Sequence, residues 1–155
     1  MSIPPSPFRD LQKLYRIFLY SHIGSVIISV LIVSLGLMKP FAAVTLDRLL
    51  QVIAVLYSFL AVIVGLQLFR RRVNAIRENN QSVRDKLSQF RSGCIVQWAL
   101  LTGAGFFCSI SYVITGNWAF PLLAIMLMAI FGGLNPFRQK VMLQLRLSEQ
   151  DVAGM

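Results

Sequence analysis

Long runs without a charged residue alternate with short charged segments along this chain. The first two runs cover residues 17–38 and 49–69, and the third covers residues 92–137. At 1.5 Å per residue, a helix of about 20 residues crosses the hydrocarbon core of a bilayer once. The third run has room for two crossings and a turn, so we expect four membrane-spanning helices at residues 17–38, 49–69, 93–114 and 118–134.

Turn-forming residues separate these runs. Lys39-Pro40 is expected to end the first span, because a residue before proline resists helical geometry. Thr115-Gly116-Asn117 predicts a tight turn, since Gly and Asn tolerate positive φ. Asn135-Pro136 is expected to close a short fourth span. The first run is too long for a cleavable signal peptide and is expected to remain as an anchor. Residues 1–155 are therefore expected to form a single all-α membrane domain, a four-helix bundle.

Positive charges indicate how the spans are threaded. The chain has 15 Lys and Arg against 6 Asp and Glu, a net charge of +9. Of these cations, 13 lie in the amino-terminal segment, the loop 70–91 and the tail 137–155, and 2 lie in the first loop. The positive-inside rule predicts cytoplasmic termini (N-in/C-in) in a bacterial inner membrane. Anionic lipid headgroups, rather than nucleic acid, are the expected partner. Aromatic side chains are expected at the membrane surfaces, with Trp118 and Phe120 outside and Tyr15, Phe18 and Tyr20 inside.

The loop 70–91 is expected to be helical, and two arrangements remain open. Apolar residues recur there at heptad-like spacing, at Val73, Ile76, Val83, Leu87 and Phe90. One arrangement is a continuous helix on the membrane surface. The favoured one is a cytoplasmic hairpin that extends spans two and three, with Ser82 and Asp85 as a capping box for its second arm. The tail predicts a short amphipathic helix with Val141, Met142 and Leu145 on one face, and Ser148 with Asp151 as a cap for a last turn.

Polar residues are scarce within the spans. Counted from the cytoplasmic ends of the spans, the single histidine, His22, lies at a depth similar to that of Gln67 and Gln97, and Asn135 closes span four on that side. In lipid such groups face the bundle interior and seek one another. Interhelical hydrogen bonding is the simpler interpretation of this polar layer, and a ligand-binding pocket is the alternative. A lone His without a nearby acid is a poor metal ligand, so no metal, cofactor or catalytic set is predicted. Cys94 and Cys108 are expected to be buried thiols.

Small residues at helical spacing indicate close helix contacts, at Gly24, Ser25, Gly103, Gly105 and Gly133. Packing within the bundle is the simpler interpretation, and an interface with a second copy or with other membrane subunits is the alternative. Three arginines, Arg70, Arg71 and Arg72, directly follow the second span. They are expected to anchor it at lipid headgroups, with a specific docking site as the alternative.

Short motifs in residues 85–150 carry a resemblance, together with the histidine in span one. These motifs are Ala99-Leu100-Leu101-Thr102-Gly103, Thr115-Gly116-Asn117, Asn135-Pro136 and Leu145-Arg146-Leu147-Ser148-Glu149. With them the chain resembles a group of small four-span bacterial membrane proteins that have no established activity, so the resemblance implies a fold and no function. Arg71-xxx-Ala75 is similar to a pattern of the glutathione- and eicosanoid-metabolising four-span family, but Asn79 is one residue out of place and the threading is inverted.

Three functional hypotheses follow. The leading one is a non-enzymatic membrane protein, either an accessory subunit of a complex or a small self-assembling bundle. The second is a small transporter or a lipid- or ligand-binding protein that uses the polar layer. The third is a membrane enzyme acting on a lipophilic substrate with His22, Arg72 and Asn79.

Overall fold

The computed structural model describes residues 7–78 and 82–145, and all regular secondary structure in these residues is helical. Five helices follow one another: α1 (Pro7–Ser34), α2 (Val44–Glu78), α3 (Val83–Thr115), α4 (Ala119–Gly133) and α5 (Arg138–Leu145). Three of them, α1, α2 and α3, are long and apolar enough to cross a membrane, whereas α4 is an apolar helix of 15 residues. The expectation of an all-helical membrane protein is confirmed.

Helix α1 ends earlier than the sequence predicted. It stops at Ser34, and Gly36 follows with a φ of +68°. The Leu37 N–H donates to the Ile32 carbonyl at 3.0 Å, and the Gly36 N–H donates to the Val33 carbonyl at 3.1 Å. These two bonds form a Schellman motif, which satisfies carbonyls that the helix end leaves unpaired. The prediction that Lys39-Pro40 ends this helix was therefore wrong, because glycine ends it first.

Helix α3 is the centre of the bundle. It packs against α1, α2 and α4, whereas α1 and α2 make no substantial contact with each other in the described residues. The most apolar window of α3 is 56% buried, compared with 22% for α2 and 17% for α1. Its buried side chains recur every three or four residues, at Trp98, Leu101, Ala104, Cys108 and Tyr112. Helix α3 therefore supplies more of the core than any other helix. Both cysteines are buried and free, as predicted.

Contacts along α3 fix the relative heights of the other helices. The Tyr15 ring lies 5.4 Å from Trp98, and the Ser25 hydroxyl lies 3.3 Å from that of Ser109. Helices α1 and α3 therefore run parallel. Phe69 on α2 packs edge-on against Phe90 at 5.4 Å between ring centroids, and a Cβ on Gly65 would lie 3.5 Å from Cγ of Gln97, so α2 runs antiparallel to α3.

The turn between α3 and α4 forms as predicted. Gly116 has a φ of +69° and caps α3, and its N–H donates to the Tyr112 carbonyl at 2.7 Å. The connection between α1 and α2 packs onto this turn, because the Phe41 N–H donates to the Ile114 carbonyl at 3.1 Å. Backbone hydrogen bonds thus join the α1–α2 connection to the end of α3.

Two aromatic residues expected at the membrane surfaces are buried instead. Tyr15 is 5% exposed and stacks on Phe131, and its hydroxyl donates to the Phe131 carbonyl at 3.3 Å. Phe120 is 1% exposed. Tyr15 is covered because it hydrogen-bonds to the last turn of α4, a tertiary contact with no local sequence signal. Trp118 and Tyr20 are exposed, and Phe18 is partly buried.

At the other end of the bundle, α2 ends at Glu78 and a new helix begins at Val83, so residues 70–91 are not one continuous helix. Ser82 caps α3 as predicted, accepting from the Asp85 N–H at 3.3 Å.

Helix α5 contacts α2, with Val141 fully buried and Met142 partly buried. The Leu145 side chain, Ser148 and Asp151 lie outside what the structure describes.

Candidate functional site

Two members of the predicted polar layer line one small cavity. Gln97 on α3 and Asn135 after α4 face it, together with Cys94, Trp98 and Pro136 among others. Its volume is about 30 Å³. A cavity that binds benzene has a volume of about 150 Å³, so this cavity is large enough for water and too small for a ligand of that size. The buried Nε2 of Gln97 has no hydrogen-bond partner among the described protein groups, so a water here would satisfy it.

Gln67 lies at the height of this cavity but faces away from it. Helix α2 presents Gly65 to Gln97, and the Gln67 side chain two residues later is exposed. In a membrane that surface faces lipid or a partner. The structure therefore does not bring Gln67 together with Gln97.

His22 lies in a different layer. Its imidazole packs directly against Gly105, whereas Gln97 is eight positions earlier on α3, about 12 Å along the helix axis. The assumption of equal depth was wrong because α1 is shifted along α3. The uncharged run of α3 begins at Ser92. The uncharged run of α1 begins at Ile17, which lies close to the height of Leu100 on α3 and not at the height of Ser92.

The surroundings of His22 are closed. The residue is fully buried, and neither ring nitrogen has a hydrogen-bond partner among the described residues. The backbone of Ala124 on α4 also faces the ring, but outside hydrogen-bond geometry. No group of three or more metal-ligating side chains occurs in residues 7–78 and 82–145. The ring therefore packs at the α1–α3–α4 contact, and it leaves polar atoms unsatisfied at a typical cost of about 1–3 kcal/mol.

Three of the five predicted small residues lie at helix contacts within the chain. A Cβ on Gly103 would lie 3.1 Å from the Tyr57 hydroxyl, and a Cβ on Gly105 would overlap the His22 ring. Ser25 shares a hydrogen bond with Ser109. By contrast, Gly24 and Gly133 have nothing within 4 Å of their Cβ positions.

Gly24 opens onto a groove between α1 and α3 with a volume of about 480 Å³. The α1 side of this groove consists of Ser21, Gly24, Ser25, Ile28, Ser29 and Ile32, and the α3 side consists of Phe106, Ser109, Ile110 and Val113. We call it the α1/α3 groove. Its α1 wall includes Gly24 and Ser25, two of the small residues named from the sequence, but only the structure shows that this face is left partly uncovered.

One polar cluster was missed by the sequence analysis. The Asp47 carboxylate accepts from the Asn117 amide at 2.9 Å and from the Gln51 amide at 3.0 Å. These bonds join the start of α2 to the turn between α3 and α4. A carboxylate in the first turn of a helix is a recognisable signal, because it complements the helix dipole. Asn117 as its partner has no such signal. The cluster binds helix ends together and contains no nucleophile or second acid.

The residues of the hypothetical enzyme site are not brought together. The Arg72 side chain lies against Gly93, which is twelve positions from Gly105 on α3 and so about 18 Å from the height of His22. Asn79 lies outside the described residues. The three arginines Arg70, Arg71 and Arg72 are all exposed.

No family model matches the chain, and neither a curated protein nor a solved structure does.

Proposed function

We propose that this chain is a non-enzymatic membrane protein whose role is assembly, and that it associates with a second copy of itself through the α1/α3 groove. The groove is the observation that carries the proposal. Between helices in lipid there is no hydrophobic driving force, so close packing over small residues and interhelical hydrogen bonds supply the association energy. A groove lined by Gly24, Ser25 and Ser29 offers close packing over small residues.

The shape of the groove favours a helix as its occupant. Its α1 wall runs from Ser21 to Ile32, about 17 Å along the axis or three helical turns. Helix α1 has most of its apolar surface outside the bundle, since only 17% of its most apolar window is buried. A second α1 packed into the groove would cover Gly24, which has nothing within 4 Å of its Cβ position in the single chain.

The same proposal includes four spans with both termini in the cytoplasm of a bacterial inner membrane. Helix α4 supports this number, because it runs beside α3 and α1 from the Gly116 turn to the level of Trp98, whose ring lies 6.4 Å from Phe131. Its 15 residues extend about 22 Å, so it would cross a thinned bilayer or stand upright with its flanking residues reaching the surfaces. The distribution of cations supports the threading. Helices α2 and α3 then extend into the cytoplasm as a hairpin, supported by the Phe69–Phe90 contact.

The transporter and enzyme hypotheses have less support. The cavity beside Gln97 and Asn135 is water-sized, and His22 lies about 12 Å away from Gln97 along α3. Assembly requires neither a ligand cavity nor a catalytic set.

Gly24→Leu tests the assembly proposal. The new side chain would fill the groove and exclude a second helix, so the variant should be extracted as a single chain. Native mass spectrometry after mild detergent extraction should show wild type as one defined species well above the 17.4 kDa of a single chain and Gly24→Leu at the single-chain mass.

Gly132→Leu is the matched control, because Gly132 also has nothing within 4 Å of its Cβ position and lies outside the groove. It should assemble as wild type does. A wild-type protein extracted without any partner would overturn the assembly proposal. An unchanged Gly24→Leu assembly would remove the groove from it, and a complex containing other chains would make the protein an accessory subunit instead.

A further inference from the structure

A cleft lies between α2 and α3 where the uncharged runs of both helices end. It has a volume of about 230 Å³ and is lined by Arg72, Ala75 and Ile76 on α2 and by Gln89 and Ser92 on α3. Residues three or four positions apart share one face of a helix, so two matching faces meet here. We call this cleft the Arg72 cleft. Arg70 and Arg71 do not line it.

The stem of Arg72 is fixed by packing. A Cβ on the buried Gly93 would lie 3.6 Å from Cδ and 3.9 Å from Cβ of Arg72, so the aliphatic stem crosses α3 at a residue without a side chain. Phe69, one turn earlier on α2, borders the same glycine and packs against Phe90. An arginine whose stem is already ordered loses less side-chain entropy when its guanidinium binds a ligand.

The height of the cleft corresponds to the headgroup layer. The uncharged run of α2 ends at Phe69 and that of α3 begins at Ser92. Because Tyr15 lies opposite Trp98, Arg9 on α1 comes close to the level of Ser92. Cations from three helices therefore lie near the height of the cleft, with Arg70 and Arg71 on α2, Arg91 on α3 and Arg9 on α1. The nearest described acid on α3, Asp85, lies one turn beyond Gln89 and already accepts from the Ser82 hydroxyl at 2.6 Å.

We propose that the Arg72 cleft binds the phosphate headgroup of one anionic phospholipid of the cytoplasmic leaflet. The guanidinium of Arg72 pairs with the phosphate oxygens in a bidentate arrangement, which a planar guanidinium favours. Gln89 and Ser92 form the polar wall, and the acyl chains lie along the exposed apolar surface of α2 that includes Leu68. The cleft volume of about 230 Å³ is several times the roughly 30 Å³ that one water molecule takes up, so the cleft has room for a headgroup and is larger than a single ion requires.

This binding site differs from general attraction between basic residues and lipid. General attraction depends on the number of cations, so Arg71 and Arg72 would contribute equally. Of the three arginines Arg70, Arg71 and Arg72, only Arg72 contributes to recognition in the cleft. The cleft is also distant from the α1/α3 groove, since Ser92 and Phe106 are fourteen positions apart on α3, about 21 Å along its axis. The two proposals can therefore fail independently.

The test compares Arg72→Gln with Arg71→Gln, which removes the same charge one residue away on an equally exposed position. Native mass spectrometry of delipidated protein titrated with phosphatidylglycerol, and separately with phosphatidylcholine, measures the retained lipid. We expect wild type and Arg71→Gln to retain one phosphatidylglycerol selectively and Arg72→Gln to bind it about tenfold more weakly. Equal losses in both variants, or equal retention of phosphatidylcholine, would overturn the proposal.

Two further variants keep the net charge and guard against a folding defect. Arg72→Lys retains the charge without the bidentate geometry, and Gly93→Val displaces the stem of Arg72. Both should bind phosphatidylglycerol more weakly than wild type, and Arg72→Lys should do so while unfolding at a similar temperature without lipid. Wild-type affinity in both would overturn the proposal. So would thermal stabilisation by inorganic phosphate alone that matches the stabilisation by phosphatidylglycerol, because the ligand would then be free phosphate.

Discussion

Individual glycines provide space for several long side chains at the helix contacts of this bundle. At four places a long side chain from one helix lies across a glycine of its neighbour: His22 on Gly105, Tyr57 on Gly103, Gln97 on Gly65 and Arg72 on Gly93. Each pair lets two helix backbones approach closely, which is the main source of packing energy between helices in lipid. The glycines of α3 therefore provide the space that side chains of α1 and α2 occupy.

The tightest of these pairs provides a test at the residue scale. In Gly105→Ala the new methyl would overlap the His22 ring, lying 2.8 Å from its Cδ2, and the ring is fully buried and cannot swing aside. Overpacking of this kind costs about 1–3 kcal/mol, so the variant should unfold at a lower temperature in mild detergent. Gly24→Ala should not unfold at a lower temperature, because its methyl would meet nothing within 4 Å.

The double variant His22→Ala, Gly105→Ala identifies the contact as the cause. Adding Gly105→Ala to a His22→Ala background should cost less than adding it to wild type, because the clashing ring is gone. An equal cost in both backgrounds would show that the effect of Gly105→Ala comes from elsewhere.

At the scale of elements, two helices end at glycines with the same conformation but different surroundings. Gly36 ends α1 and Gly116 ends α3, both with positive φ. Gly36 has open space at its Cβ position, whereas a Cβ on Gly116 would lie 2.7 Å from Cγ of Pro40. The first glycine is therefore required by its backbone alone, and the second by its backbone and by a packed proline.

Alanine substitutions separate these two requirements. Gly36→Ala should destabilise the protein by about 1–2 kcal/mol, the cost of a left-handed residue with a side chain. Gly116→Ala should cost clearly more, because its methyl also displaces Pro40. Thermal unfolding measures both, with Gly132→Ala as a control in helical conformation that should be neutral or stabilising. Equal losses at Gly36 and Gly116 would show that the contact with Pro40 contributes nothing.

For the whole molecule, the number of spans decides on which side the carboxyl-terminal helix lies. Helices α1, α2 and α3 are each long enough to cross, and α4 is the short one. If α4 crosses, α5 lies on the same side as the start of α1. If it does not, α5 lies on the opposite side.

Single cysteines at exposed positions measure this directly, because the two native cysteines are buried. Lys13→Cys and Gln139→Cys lie near the two termini, and Thr45→Cys lies at the start of α2. A membrane-impermeant maleimide added outside intact cells should label only Thr45→Cys. Labelling of Gln139→Cys together with Thr45→Cys would indicate three spans, and labelling of Lys13→Cys without Thr45→Cys would reverse the threading.

Most features with a local cause could be predicted from the sequence, although the end of α1 at Gly36 was missed. Features that depend on contacts between helices could not be predicted. The apolar runs, the Gly116 turn and the Ser82 cap each follow from a few neighbouring residues, and all three were found. The shift of α1 along α3 was not, because it is set by Tyr15 meeting Trp98 and His22 meeting Gly105. The predicted polar layer failed for the same reason, since depth was counted from the end of each run rather than from these contacts.

The central position of α3 has a consequence for how the protein is made. During synthesis α1 and α2 emerge before α3, yet they make no substantial contact with each other in the described residues. They must therefore remain in the bilayer as separate helices, with His22 and Ser58 uncovered, until α3 arrives between them. The ribosome thus delivers α1 and α2 before the helix that joins them, so a chain that ends after α2 lacks the α3 contacts that cover His22 and Ser58 in the complete bundle.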